Sequence, residues 1–579
     1  MLFRRVATCV AAVCLLGVGC NRLQESLSMQ EPLEALPEGA CMVVSATDLV
    51  KIWQRAEQHK AAEVLGRLVP NAGWFQTEDY RQVRAALEEF ESTNEVDLER
   101  DLLLNVLGGR VVIGMYPESS GEADLVLAAE LGHPDRFRRF VDAVLAQPLG
   151  HDIDIEAVVI DDKQAFWVRH ADQQVLFMHE GKRLVASTRE DLARSTWDVI
   201  EGRATTSATQ NPQFTRALAE LGMHHVVVVE IGDATDRIPW AAQGMTWRGD
   251  GLHFKRTVAA PPQEERVPSL VTPRQRDEML QSIPRGMTLA YYARPTDADL
   301  VRDLLRGLTT CGGSMGGSLW RQSEGADGVR MQLTRAQSGP GLRVPHFGTG
   351  ARLLPVASSD SPLGMSSLPF NLEKDVLPWC GDELVFILAD LEKTGVIPIP
   401  AAALIIEVAD EELAGSTLYD LESTLTNLPF DIGAKGFVDV RYGGQTYRSF
   451  SQPFLESISP SWWTNGDIAV ISTTRLLMQQ IIDTRRVGKR HLLNDSSFEG
   501  FASFVPESAS VLALTDLRRF YRSAHEMAEL PRMLSEEIDD GVRYMEEMSV
   551  LFDHFPTSAV YLDRQEDTLT LNAWLREDH

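Results

Sequence analysis

The sequence predicts an α+β protein of two homologous repeats, each an antiparallel or mixed β-sheet with helices packed on one face. Three observations carry that expectation. First, one pattern occurs twice. Leu36-Pro37-Glu38-Gly39 opens one copy and Ile283-Pro284-Arg285-Gly286 the other. Leu98-Glu99-Arg100-Asp101 leads into Leu107-Gly108-Gly109-Arg110-Val111-Val112-Ile113, as Leu372-Glu373-Lys374-Asp375 leads into Cys380-Gly381-Asp382-Glu383-Leu384-Val385-Phe386. An internal repeat fixes architecture before any motif does. Second, short apolar runs recur between turn residues at strand spacing. Third, the segments between them place apolar residues at helical spacing behind capping residues.

Each element follows in order. Residues 41–45 are a short apolar strand, and Asp48 is placed to cap the helix after it. Residues 77–92 predict a second helix, and 110–115 and 125–131 predict strands. Pro134 stands where a first helical residue would, ahead of Phe137, Phe140, Val141 and Val144. A meander comes next, with strands at 156–160, 165–169, 174–179 and 183–187, broken at Asp161-Asp162 and Glu180-Gly181. The second copy gives 437–441, 445–450 and 467–472, with turns at Tyr442-Gly443-Gly444 and Asn465-Gly466. Ser187-Thr188 and Ser472-Thr473 each supply hydroxyls suited to capping a following helix. Asn211-Pro212-Gln213-Phe214 and Asn494-Asp495-Ser496-Ser497-Phe498 each start a helix, followed by strands at 226–231 and 510–514. The copies close on alternating strands at 251–254 and 568–571, and a helical region over 515–555, broken near Pro531, belongs to the second copy alone.

These elements divide the chain. Residues 1–19 read as a signal peptide and 20–35 as a tether. Repeat domain 1 spans 36–262, a Pro-rich charged linker 263–282, and repeat domain 2 spans 283–579 with a Gly/Ser/Pro-rich insertion at 307–367. Arg4 and Arg5 precede an uncharged apolar run over 6–19 that ends at Cys20. A run of about 14 residues is shorter than the roughly 20 that span a bilayer, and suits an export signal. A cysteine directly after such a run resembles the lipobox of bacterial lipoproteins, although Gly17 stands where that pattern favours Leu. Cys20 is therefore the expected lipidation residue, through which the protein meets the lipid bilayer. Cleavage without acylation, giving a secreted protein, and an uncleaved anchor are the other readings.

Composition bounds the partners. The 579 residues are 44% hydrophobic and 24% charged, with 55 basic and 83 acidic side chains and a net charge of −28. That field repels phosphate backbones, and no basic stripe offsets it, so nucleic acid is not an expected partner. Cys41, Cys311 and Cys380 remain beyond the lipobox cysteine, an odd set that excludes a rich disulfide framework.

Asp375-Val376-Leu377-Pro378-Trp379-Cys380-Gly381-Asp382-Glu383-Leu384 resembles an Asp-Val-Leu-Pro-Trp-Leu-Gly-Asp-Glu-type segment of a bacterial domain of unknown function. Members of that family are exported or cell-envelope proteins that often open with a Leu-Pro-x-x-(Ala/Gly) strand, as at Leu36. The first copy keeps Leu107-Gly108-Gly109 without the Pro-Trp, and Cys380 replaces the usual Leu. The resemblance implies an envelope location and no known chemistry.

Several groups invite a chemical reading. Gly312-Gly313-Ser314-Met315-Gly316 fits a nucleophile elbow, with His346 and His491 as triad histidines. Such an elbow needs a strand before it and a helix after, and here a helix precedes and more glycine follows. His224-His225 with Glu230 has metal-ligand composition, but adjacent histidines at a strand point to opposite faces. His179-Glu180-Gly181-Lys182 lacks a second histidine and reads as a hairpin turn. Asp161-Asp162 and Asp539-Asp540 read as solvated carboxylate pairs. Four tryptophans, Trp462, Trp463, Trp240 and Trp247, are the ligand-contact aromatics the sequence offers for a sugar or a peptide, against the simpler reading of core filling. No catalytic residue, metal ligand or cofactor motif stands out. The expected role is a lipid-anchored envelope protein, on the periplasmic side, that binds a protein or other envelope component without catalysing a reaction. An exported hydrolase and a periplasmic chaperone-like or inhibitor protein are the alternatives.

Overall fold

The computed structural model describes residues 34–47, 109–117, 123–146, 153–170, 173–204, 206–222, 224–232, 239–248, 251–259, 278–293, 378–392, 399–426, 436–451, 459–488, 491–498, 501–506, 509–532, 552–564 and 568–577. The chain divides into two compact units. One comprises Met1–Pro262, Gly328–His346 and Gln565–Asn572, and the other Gln263–Asp327, Phe347–Arg564 and Ala573–His579. The expected signal peptide, the insertion at 307–367, the helix at 77–92 and the Asp48 cap lie outside the described residues. Of the 20–35 tether, only Glu34 and Ala35 are described.

The first unit is an antiparallel sheet. Its strands are β1 (Met42–Thr47), β2 (Arg110–Pro117), β3 (Ala123–Glu130), β4 (Ile153–Ile160), β5 (Lys163–His170), β6 (Gln173–Glu180), β7 (Arg183–Ser187), β8 (Val226–Ile231), β9 (Trp240–Arg248) and β10 (Gly251–Ala259). Pairing runs β4-β5-β6-β7-β3-β2-β1-β8-β9-β10. The β4–β5 hairpin turns on Asp161 and Asp162, both left-handed at φ 52° and 63°. A two-residue type I′ turn requires that conformation, which Asp tolerates better than most residues. The helices are α1 (Pro134–Ala146), α2 (Glu190–Ile200) and α3 (Pro212–Leu221). Asn211 caps α3 by accepting from Gln213 N, with Pro212 in the first turn.

One face of this sheet carries Val43, Val126, Leu176, Met178 and Val227 against Ala193 and Trp197 of α2 and Phe214, Ala217 and Leu221 of α3. The expectation of helices on one face holds for α2 and α3 and fails for α1. Phe137 of α1 packs edge-on against His179, whose neighbour Met178 points into the α2–α3 core. Successive strand residues face opposite sides, so α1 covers the other face. Runs of four buried residues in β2, β7 and β8 agree, since such runs form only where both faces are covered.

The second unit contains β11 (Leu289–Ala293), β12 (Cys380–Glu392), β13 (Ile399–Val408), β14 (Gly436–Tyr442), β15 (Gln445–Ser451), β16 (Ser461–Thr464), β17 (Ile468–Ser472), β18 (Ala509–Asp516) and β19 (Thr557–Arg564), and β20 (Thr568–Arg576) is divided between the two units after Asn572. Pairing runs β14-β15-β16-β17-β13-β12-β11-β18-β19, all antiparallel. Its helices are α4 (Glu411–Thr426), α5 (Arg475–Val487), α6 (Phe501–Phe504) and α7 (Leu517–Arg532). Ile405, Trp463 and Val470 pack with Leu477, Met478 and Ile481 of α5, whereas Ile406, Trp462 and Ala469 pack with Ala414 and Leu418 of α4. Both faces are again covered. Met279 and Leu280, in the segment expected to be linker, are buried in the α5-side core.

Hydrogen bonds outside the ladders tie each unit's opening segment to its core. In the first unit Ala208 N donates to Leu36 O at 2.8 Å, Cys41 N to Met115 O at 2.8 Å and Ile231 N to Cys41 O at 2.8 Å. In the second, Leu492 N donates to Ile283 O at 2.8 Å, Thr288 N to Leu388 O at 2.8 Å and Asp516 N to Thr288 O at 2.9 Å. The Ser-Thr pairs do not cap as expected. Thr188 clamps Leu125, donating from N to its O and accepting from its N, each at 3.0 Å. Thr473 clamps Ala402 in the same way at 2.8 and 2.9 Å. The pairs end their strands too early to reach helix N–H groups. Thr474 caps α5 instead, and α2 has no side-chain cap.

Candidate functional site

The four tryptophans lie inside the protein, at 2% exposure for Trp240, 5% for Trp247, 7% for Trp462 and 3% for Trp463. Each pair also splits across its strand, with Trp240 and Trp247 on opposite faces of β9, and Trp462 and Trp463 on opposite faces of β16. The expectation that these rings themselves form a ligand platform is corrected on that ground. A buried indole N–H still needs a partner, and the partner of Trp462 leads to the surface.

Trp462 Nε1 donates to Glu422 Oε1 of α4 at 2.8 Å. Glu422 also takes a two-pronged bond from Arg448 of β15, from Nε to Oε1 and from Nη2 to Oε2, both 2.7 Å. Arg448 Nη1 reaches Asp439 Oδ1 of β14 at 3.0 Å. The strand registers create this row, since Asp439 stands opposite Arg448 and Arg448 opposite Trp462. Glu422 and then Asp439 hold the guanidinium firmly in its charged form. Tyr419 lies three residues before Glu422, on the same side of α4. Its ring centroid is 5.2 Å from that of Trp462 in an edge-on contact and 5.7 Å from the Arg448 guanidinium carbon. Tyr419 is 55% exposed. Only the indole was visible in sequence, because α4 and three strands assemble the rest.

A second polar cluster surrounds the opening loop of the second unit. Asp495 accepts from Gly286 N at 3.0 Å and from Ser497 N at 3.1 Å. Asp516 accepts from Arg519 N at 2.9 Å, capping α7, and pairs with the Arg519 guanidinium at 3.2 Å. Thr288 Oγ1 donates to Asp390 at 3.2 Å. Burial raises the Asp516 carboxyl above its ordinary range, and Asp495 and Asp390 add to the rise. Burial pushes Asp495 up too, but the Ser497 and Gly286 N–H groups outweigh it and leave the carboxyl lowered. These carboxylates fasten backbone.

The Pro378–Glu383 motif is likewise structural. Trp379 is fully buried in the α4-side core, and the register of β12 shifts between Cys380 and Leu384. Asp382 N donates to Glu407 Oε2 at 2.8 Å, and a Cβ at Gly381 would meet that carboxylate within 2.9 Å. Glu383 is buried and accepts from Tyr292 Oη at 2.8 Å. Burial, with Glu407 and Asp382, pushes the Cys380 thiol up to about 12, which keeps it protonated and unreactive.

The other sequence candidates do not converge. Ser314, His346, Asp539, Asp540 and Cys20 lie outside the described residues. His491 is buried beside Pro284, its Nε2 2.8 Å from Asn494. Burial lowers His224 to about 4, and its ring packs against Gly244. No group of three metal-ligating side chains is assembled among the described residues. Asp161 is paired with Arg194 at 2.6 Å. Among the described residues no helix is long and apolar enough to cross a membrane.

No family model matches the chain. No curated protein matches either. Among solved structures, crystal form IV of TP0453 aligns with 39% of this chain and 80% of its own at 8% identity and a TM-score of 0.23. Crystal form III aligns with 44% and 88% at 7% identity and a TM-score of 0.25. Overlap at this level does not establish a shared fold.

Proposed function

We propose that the protein is an exported, lipid-anchored envelope protein built from two copies of one domain, acting as a binding or scaffold module without catalysis. The Arg4-Arg5 start, the apolar run to Gly19 and Cys20 carry the anchoring part of the reading. The duplication is supported by strand order. Reading β4-β5-β6-β7-β3-β2-β1-β8-β9 against β14-β15-β16-β17-β13-β12-β11-β18-β19, each strand has its counterpart ten numbers later. The bonds at Leu36 and Ile283, at Cys41 and Thr288, and the clamps at Thr188 and Thr473 fall at matching places.

The observation that carries the binding role is the Tyr419–Arg448 corner, where an exposed ring is held by a fixed ion pair and a buried indole. The polar groups around Asp495, Asp516 and Glu407 each hold a backbone N–H, which is scaffold work. Metabolic labelling with palmitate tests the anchor, with label expected on the wild type and absent from Cys20→Ala. Label that persists in that variant removes the anchor. Pull-down from envelope fractions, wild type against Tyr419→Ala, tests the binding role, and identical captured material would contradict it.

A further inference from the structure

We infer that the Tyr419 corner is a saccharide-binding platform that takes a neutral pyranose chain against the tyrosine ring. The inference rests on the binding role proposed above and names its ligand.

The first ground is that the fold does not need these charges. By the duplicate alignment of the two hairpins, the row Asp439–Arg448–Trp462 corresponds in the first unit to Ala157–Phe166–Phe177, which stand opposite one another in register. There Phe166 and Phe177 stack at 5.0 Å with planes 7° apart. An apolar row thus completes the same sheet. Replacing well-packed apolar residues by a largely desolvated ion pair rarely adds stability. The second unit nonetheless carries Glu422, Arg448 and Asp439 there, beside an exposed aromatic ring.

The second ground is geometry. A guanidinium has five N–H donors, of which three are used, two toward Glu422 and one toward Asp439. The other two meet no acceptor among the described residues, and the Asp439 side chain beside them is 68% exposed, with Oδ1 taken by Arg448. Vicinal hydroxyls each donate and accept, so they match a donor and an acceptor set side by side. The C–H face of a pyranose carries weak positive polarity and suits the negative face of an aromatic ring. The ring is orientationally fixed by Trp462 and Arg448, so little rotamer freedom is lost on binding. An anionic ligand would meet Glu422 and Asp439, and a cation would meet Arg448 against the same ring.

The test is calorimetric titration of the detergent-solubilised full chain with chitotetraose, cellotetraose and maltotetraose. Binding of at least one is expected, weakened about tenfold or more by Tyr419→Ala and about threefold or less by Tyr419→Phe. Asp439→Asn should weaken it several-fold, while Leu413→Ala, exposed on the same helix, should leave it unchanged. No binding of any tetrasaccharide, or binding indifferent to Tyr419→Ala, overturns the inference. A lysine-rich pentapeptide that binds through Tyr419 in place of the sugars overturns it as well, while leaving the binding role standing. Palmitate labelling reports the anchor separately, so the two readings fail independently.

Discussion

Tyr292 donates its hydroxyl to Glu383 at 2.8 Å, and both residues are buried. The bond joins β11 to the irregular start of β12, where the ladder shifts register. Removing one partner of a buried hydrogen bond costs about 1–3 kcal/mol. Tyr292→Phe should therefore lower unfolding stability by that order in urea titrations, with m unchanged. A loss under about 0.5 kcal/mol would show that the carboxylate does not depend on this donor.

Gly381 gives a separable prediction. Its missing Cβ leaves room for the Glu407 carboxylate that holds Asp382 N. Gly381→Ala should cost about 1–3 kcal/mol. Adding Glu407→Ala removes the clash, so the double variant should be more stable than additivity predicts. Strict additivity in the four-member cycle would contradict the contact.

The carboxylates at the second unit's opening loop predict opposite pH behaviour. Asp495 is lowered, so its contribution is present above the ordinary value of 3.8 and is lost as pH falls through its folded value. Asp516 is raised, so its neutral form is favoured in the fold and ionisation weakens the fold as pH rises above 3.8. Asp495→Asn should cost clearly more at pH 7 than near pH 3. Asp516→Asn should lie within about 0.5 kcal/mol of wild type at pH 7. Denaturation at both pH values checks the pair, and equal losses from both variants at pH 7 would refute the assignment.

Glu422→Ala leaves the Trp462 indole without its acceptor and Arg448 with only the exposed Asp439. The expected loss is about 2 kcal/mol or more, since a partly buried charge loses its partner. Installing the first unit's row, as Asp439→Ala, Arg448→Phe and Trp462→Phe together with Glu422→Leu, should recover most of it. Thermal unfolding of the two variants decides the matter. A quadruple variant no better than Glu422→Ala would mean that the second unit cannot do without the network.

Legibility in the sequence followed locality. The hairpin turns at Asp161-Asp162 and Gly443-Gly444, and the Asn211-Pro212 start of α3, are written within a few residues, and they stand where expected. The strand β16 was hidden because Trp462-Trp463 lacks alternation. The reason is packing on both sides, with each indole in a different core. The same cause defeated the one-face expectation, since a strand buried on both faces reads as a continuous apolar run. The Tyr419 corner was illegible because Tyr419, Asp439, Arg448 and Trp462 meet only through strand register and helix docking.

Leu36 is fully buried, and its carbonyl is pinned by Ala208. If Cys20 carries lipid, that pin sets the height at which the protein works. Sixteen residue steps separate Cys20 from Leu36, and even drawn straight they reach no more than about 58 Å. Leu36 itself therefore stays within that distance of the bilayer surface, and the first unit is held there by its opening segment.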